Sequence, residues 1–298
     1  TATKNTIRQA FQDAYYTRGT TESLISVRRH FRTNGISTLL QSLRWGAWCP
    51  TKECFDLFPM ANGDDFDWDN PVHKKNPFIN RDPRLCETIL LDGDDFQGRK
   101  AEVFKEDAND KKNYPKGADW NKNNLDSKSL STGIAGRKFA LDRKGEYNNR
   151  VIHWPYLRLA EVYLAYAEAL NEVAVAGGTI DYKEVINSLV QLRKRAGIEP
   201  GDDGNYGLPT SEAYDPIEMR DIIRNERRIE MAFEEQRYWD IRRWRIAETV
   251  FEKPLRGLSI QVVGTKTNYH EVDVLSAKFD TKRYFYPIPY SEVIKNGN

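Results

Sequence analysis

The sequence predicts a mainly α protein, with helical hairpins over residues 154–298 and a loop-rich, irregular region with short strands over residues 1–153. Helical periodicity of apolar residues begins after Pro155. Before His153 the chain is broken repeatedly by Gly, Pro, Asn and Asp. Hydrophobic residues make up 39% and charged residues 30%, so a core must share the chain with much polar loop.

Taken in chain order, the first half is written mostly in turn signals. Asn62, Gly63, Asp64 and Asp65 form one, and Asp92, Gly93, Asp94 and Asp95 another. Residues 88–91 read as a strand or a buried turn, and residues 111–124 as an exposed loop. Pro155 suits the first position of a helix whose stripe is Tyr156, Leu159, Ala160, Tyr163, Leu164 and Ala167, with Gly177 and Gly178 stopping it. Asp181 as N-cap with Glu184 three residues on predicts a second helix, striped by Val185, Leu189, Leu192 and Ala196 and ended by Gly197. Asp215, Pro216 and Glu218 open a third, running through Ile222, Ile229 and Phe233, with a break before Trp239.

The first two helices share a finer regularity. Tyr156, Leu159, Ala160 and Tyr163 keep the spacing of the first helix of a tetratricopeptide repeat, and Val185 with Leu189 that of its second. A small residue at Ala160 lets two helices approach. One or two such hairpins leave faces uncovered, since solenoids need about three repeats, so a packing partner is expected.

Several function classes are excluded or disfavoured by composition. A net charge of +1 provides no basic field for nucleic acid. No apolar run approaches the roughly 20 residues that span a bilayer. The first residues, Thr1 to Asn5, hold no signal-peptide pattern, so either the protein is cytosolic or this chain starts after its targeting segment. Three cysteines, Cys49, Cys54 and Cys86, allow at most one disulfide, and Pro50 constrains a Cys49–Cys54 bridge. The four scattered histidines form no zinc motif, and no cofactor is expected.

Several segments together resemble one family, the SusD/RagB proteins. Residues 156–170 look like its marker helix, and Arg193, Arg195, Ala196 and Gly197 are similar to its R-x-R-A-G helix end. Residues 223–244, with Arg224, Glu226, Arg227, Glu230, Phe233, Arg237, Asp240 and Trp244, resemble its most diagnostic stretch. Residues 50–63 and 80–85 follow its middle part, and Tyr286, Pro287, Pro289 and Glu292 its closing signature. The segments occur in family order. Gln236 stands where Gly or His is commoner, and the resemblance covers only the C-terminal part of the family's usual length.

The resemblance implies a SusD-like α-α superhelix and a non-enzymatic, glycan-binding subunit of an outer-membrane nutrient-uptake system. Its partners would be an oligosaccharide or polysaccharide, a SusC-like TonB-dependent transporter, and an N-terminal part carrying a lipid anchor at the cell surface. A peptide-binding uptake subunit, a tetratricopeptide-type adaptor and a glycoside hydrolase are the alternatives.

Candidate ligand residues lie on the loops. Aromatic faces stack on the C–H faces of sugars, and short polar side chains pair with hydroxyls. Trp45, Trp48 and Trp68, with Arg44, Asp67 and Asn70, are the leading set, and Tyr114 and Trp120 come next. Asp65, Asp67 and Asp69 mimic the start of a calcium loop, but Asn70 and Asn76 stand where an EF-hand needs Gly and Glu, so a solvated turn is expected. The charged set from Arg224 to Arg243 reads as a structural lattice of ion pairs three and four residues apart, not as acid/base machinery. Trp239 and Trp244 are expected in the core.

Overall fold

The computed structural model describes residues 13, 20–30, 49–96, 98–104, 107, 109–113, 117, 132–138, 151–210 and 214–295. The mainly α reading holds: nine α-helices and four two-stranded antiparallel sheets are found among these residues.

The helical core is built on α4 (Leu159–Val175), which packs against both α5 (Tyr182–Ala196) and α6 (Pro216–Glu230). Ala160, Leu164 and Ala167 put one stripe of α4 into this core, with Val185, Leu189, Leu192 and Ala196 opposite. Ala160 is 1% exposed, as its small size predicts. Asp181 caps α5 through the Lys183 N–H at 2.9 Å, and Gly197 ends it at φ 83. Glu184 does not close the expected capping box; it accepts from the Tyr166 hydroxyl. Asp215 caps α6 through the Ile217 and Glu218 N–H groups. The buried stripe of α6 is apolar at Met219 and Ile223, then turns acidic at Glu226 and Glu230.

Two expectations about the second half are corrected. Pro155 and Tyr156 do not start α4. They lie in β6 (Val151–Arg158), paired with β1 (Ser23–His30), and the chain passes straight from strand to helix at Arg158. Pro155 is tolerated because both strands of a two-stranded sheet are edges. Tyr156, 66% exposed, therefore has no place in a tetratricopeptide stripe. Residues 154–298 are also not wholly helical: β7 (Leu255–Val263) and β8 (Lys266–Leu275) form a long hairpin. Its turn has Gly264 at φ 59, and Leu258 and Ile260 face the core.

The first half packs beside this hairpin. Helices α1 (Lys52–Asp56), α2 (Pro71–Lys75) and α3 (Pro83–Thr88) follow one another, joined by loop segments. Short strands β2 (Ile89–Leu90) and β5 (Ala135–Gly136) pair with each other, as do β3 (Asp95–Phe96) and β4 (Arg99–Lys100). Phe55, Phe58, Leu85 and Ile89 join Ile229 and Leu258 in a second core. Gly63 and Gly207 touch so closely that a methyl on either would overlap the other's backbone.

Between the two cores lies a buried ionic network. Arg84 pairs with Asp82 at 2.7 Å, Glu226 at 2.5 Å and Glu230 at 3.1 Å. Arg158 reaches Glu230 and Glu234 at 2.7 Å each, Lys138 reaches Glu234 at 2.6 Å, and Arg193 reaches Glu226 at 2.9 Å. Arg195 also donates to Glu230. The expected lattice of neighbours three and four apart is present in Arg243 with Asp240 at 2.8 Å, and is otherwise corrected in its wiring. The three glutamates come from α6 and the turn after it, but the bases they hold come from other parts of the chain. The short turn from Met231 to Glu235 then leads to α7 (Gln236–Arg243), with α8 (Ala247–Val250) beyond it and α9 (Tyr290–Lys295) last.

Candidate ligand-binding site

Of the residues chosen from sequence, Trp68, Asp67 and Asn70 lie on one turn between α1 and α2, while Arg44, Trp45 and Trp48 fall outside the described residues, as do Tyr114 and Trp120. The turn is built from α1 upward. Thr51 caps α1 through the Cys54 N–H, and Lys52 and Asp56, one turn apart, pair at 2.5 Å. Asp56 also accepts the Trp68 indole N–H at 2.7 Å, and the Lys52 ammonium stands 5.1 Å from the Trp68 ring centre.

Trp68 is half-buried, with Phe55, Phe66 and Tyr269 around it at 5.1–6.2 Å between ring centres. Beneath them the Arg81 guanidinium stacks 3.7 Å from the Phe66 ring centre and donates to the carbonyls of Phe55, Phe58 and Pro77. Burial draws Arg81 down to about 9, against the pull of Asp56 and Asp82. This buried fork fixes the backbone from which the turn projects.

The outer rim is polar. Asp67 is exposed, and its carboxylate accepts the Asp69 N–H at 2.8 Å. Its own N–H donates to His73 Nδ1 at 3.2 Å, and the His73 ring stacks on Phe66. The Asn70 side chain caps α2 through the Val72 N–H at 2.9 Å, so its carbonyl oxygen is already engaged. Asp65, Asp67 and Asp69 are all exposed. No cluster of three potential metal ligands occurs among the described residues. Cys49 and Cys54 are separate thiols. The turn can offer a partly exposed indole, held by its bond to Asp56, beside an exposed carboxylate.

Sequence reasoning missed Arg81, His73 and Tyr269. It also placed Trp239 in the core, and that is corrected: Trp239 is 55% exposed. It stands beside Tyr238 and Tyr286, whose hydroxyls share a 2.6 Å hydrogen bond, and Arg242 stacks 3.5 Å from the Tyr238 ring centre. Trp244 is half-buried, its indole N–H on Glu168 at 2.7 Å. No signal in the sequence marks Trp239 as exposed. In α7 the buried pair is Asp240 and Ile241, which turns Tyr238 and Trp239 outward.

Comparison with known proteins settles the family. The model of the SusD family matches residues 10–298. The chain belongs to the SusD family. The SusD-like protein P2 of Formosa agariphila is 36% identical over 143 residues, which are 48% of this chain and 24% of that protein. A SusD-like protein from Bacteroides fragilis matches 98% of this chain and 56% of its own with a TM-score of 0.69 at 23% identity, a likeness of fold. A second protein of that organism, described as a SusD-like carbohydrate binding protein, matches 82% of this chain and 47% of its own with a TM-score of 0.58 at 27% identity. This SusD-family chain spans about half the length of the solved relatives and a quarter of the curated one. No helix among its described residues is long and apolar enough to cross a membrane.

Proposed function

We propose that this chain is the glycan-binding part of an outer-membrane uptake system, capturing oligosaccharide without chemical change and passing it to a SusC-like TonB-dependent transporter. Membership of the SusD family over residues 10–298 carries the reading. The 27% identity to a protein described as carbohydrate binding supports the ligand class. Surface anchoring through an N-terminal lipid, and packing against an N-terminal part of a longer polypeptide, belong to the same proposal. The exposed run Phe285, Tyr286, Ile288 and Tyr290 supports that packing, because contiguous apolar surface on a polar protein marks an interface.

The residues proposed to bind are Trp45, Trp48 and Trp68, with Arg44, Asp67 and Asn70; of these, Trp68, Asp67 and Asn70 share the described turn. Trp68 is the best supported, since its indole is held by Asp56 and the residue stays partly exposed. Titration of a glycan panel by calorimetry tests this. A Trp→Ala change at a platform residue should cost about 1–4 kcal/mol of binding with the fold intact. If all three alanine variants bind as the parent does, the site lies elsewhere. Capture without catalysis predicts no new reducing ends after long incubation.

A further inference from the structure

Helix α4 carries two apolar stripes on opposite faces. The inner stripe, Ala160, Leu164 and Ala167, is buried in the core shared with α5 and α6. The outer stripe is Val162, Ala165, Tyr166, Ala169 and Val173, again spaced three and four residues apart, and all five are exposed. Val162, Tyr166 and Val173 are 42%, 46% and 49% exposed. Of the 17 residues of α4 only Glu161, Glu168 and Glu172 carry charge, and each is paired along one flank. Glu161 meets Arg227 at 3.5 Å, Glu168 meets Arg243 at 2.5 Å, and Glu172 meets Arg220 at 2.5 Å. The outer stripe itself holds no charge. Its one polar side-chain group, the Tyr166 hydroxyl, is committed to Glu184 at the start of α5. A helix that is apolar on nearly every side belongs between other elements rather than at a surface.

The chemistry of the stripe selects its occupant. A sugar needs polar partners for its hydroxyls, and this stripe has none to give. Another helix fits, because Ala165 and Ala169, one turn apart, leave room between Val162, Tyr166 and Val173 for the ridge of a facing helix. Helices α4 and α5 form one hairpin, and stacked hairpins bury each other's faces in sets of about three. The solved relatives extend well beyond the matched part: 98% of this chain corresponds to 56% of one, and 82% to 47% of the other. The family therefore has chain enough for further hairpins.

We propose that the outer stripe of α4 seats a helical hairpin from the N-terminal part of the longer polypeptide, stacked on α4 as the neighbouring repeat. The inference rests on the reading above that such a part exists. It adds where on the helical core that part docks and what it presents there, an uncharged helix face.

The experiment uses the purified polypeptide as its cell makes it, carrying Ala169→Cys, Val173→Cys or, in the exposed loop after α5, Asp202→Cys. Each variant is labelled with a bulky maleimide under native conditions, and the labelled position is located by peptide mass, which separates it from Cys49, Cys54 and Cys86. The two α4 positions should react about tenfold or more slower than the loop position, since a covered thiol reacts only when the contact opens. Val162→p-benzoylphenylalanine, irradiated, should cross-link within one polypeptide to a segment that precedes residue 1. Equal labelling at all three positions overturns the proposal. So does a cross-link to a second copy, a cross-link confined to residues 1–298, or none at all. Glycan capture is read separately, by calorimetry of the parent. A freely labelled α4 face with glycan binding intact overturns this inference alone.

Discussion

Glu230 shows how much a single side chain holds in this protein. It is fully buried, and it accepts from Arg84, Arg158 and Arg195. Burial alone would raise its carboxyl; the surrounding cations, Arg195 and Arg158 foremost, hold it well below the usual carboxylate range. Glu230→Ala leaves these bases facing one another in a buried site, so urea unfolding should show a loss of about 3–5 kcal/mol. Ligand affinity of the folded fraction should not change, and a loss of binding at full stability would place Glu230 in the site. The structural role of these acids was legible in the sequence, because a charged helix with no cleft signal reads as a lattice. Their partners were not. Arg84 and Glu226 are 142 residues apart, and only periodicity within a helix is visible locally. Trp239 was misread for a related reason. Tryptophan is buried on average, but in an eight-residue helix the outward face is set by what the neighbouring elements cover.

At the scale of elements, helix ends were the most legible features. Asp181, Gly197, Asp215 and Pro216 stand where capping chemistry puts them. Asp215→Ala should cost about 1 kcal/mol by thermal denaturation, since it strands two N–H groups of α6. The β7–β8 hairpin went unread although Leu258, Ile260 and Val262 alternate with polar residues and Gly264 follows. Pro155 failed as a start signal because proline also fits an edge strand. Ala160→Phe tests the helix packing: at 1% exposure the ring has no room, so a loss of about 1–3 kcal/mol is expected in chemical denaturation. In the candidate site, Trp68 could be named from sequence, but the Arg81 fork beneath it could not, since that fork binds backbone carbonyls rather than a patterned partner.

For the whole molecule, the network predicts sensitivity to acid. Burial works to raise Glu226, Glu230 and Glu234, but their cationic partners prevail and leave all three lowered in the fold. The unfolded chain therefore takes up protons first as pH falls. Their stabilisation is complete above the ordinary carboxylate range of about 4–4.5 and drains away below it, as pH drops toward the folded values. Urea midpoints should be similar at pH 7 and 6 and fall steeply between pH 4.5 and 3; a flat profile would show that the three acids are not ionised in the fold. The same network governs the order of events during synthesis. Arg84, Lys138 and Arg158 leave the ribosome long before Glu226, Glu230 and Glu234. Until residue 234 has emerged, the early bases lack the acids that let them go inside, so the N-terminal half has no complete structure to adopt. Nascent chains stalled before residue 226 should be cleaved readily by protease, and chains released past Glu234 should resist. Folding is then a late, single event rather than a gradual one, and a cell making this protein must shelter a long unfinished chain before it closes.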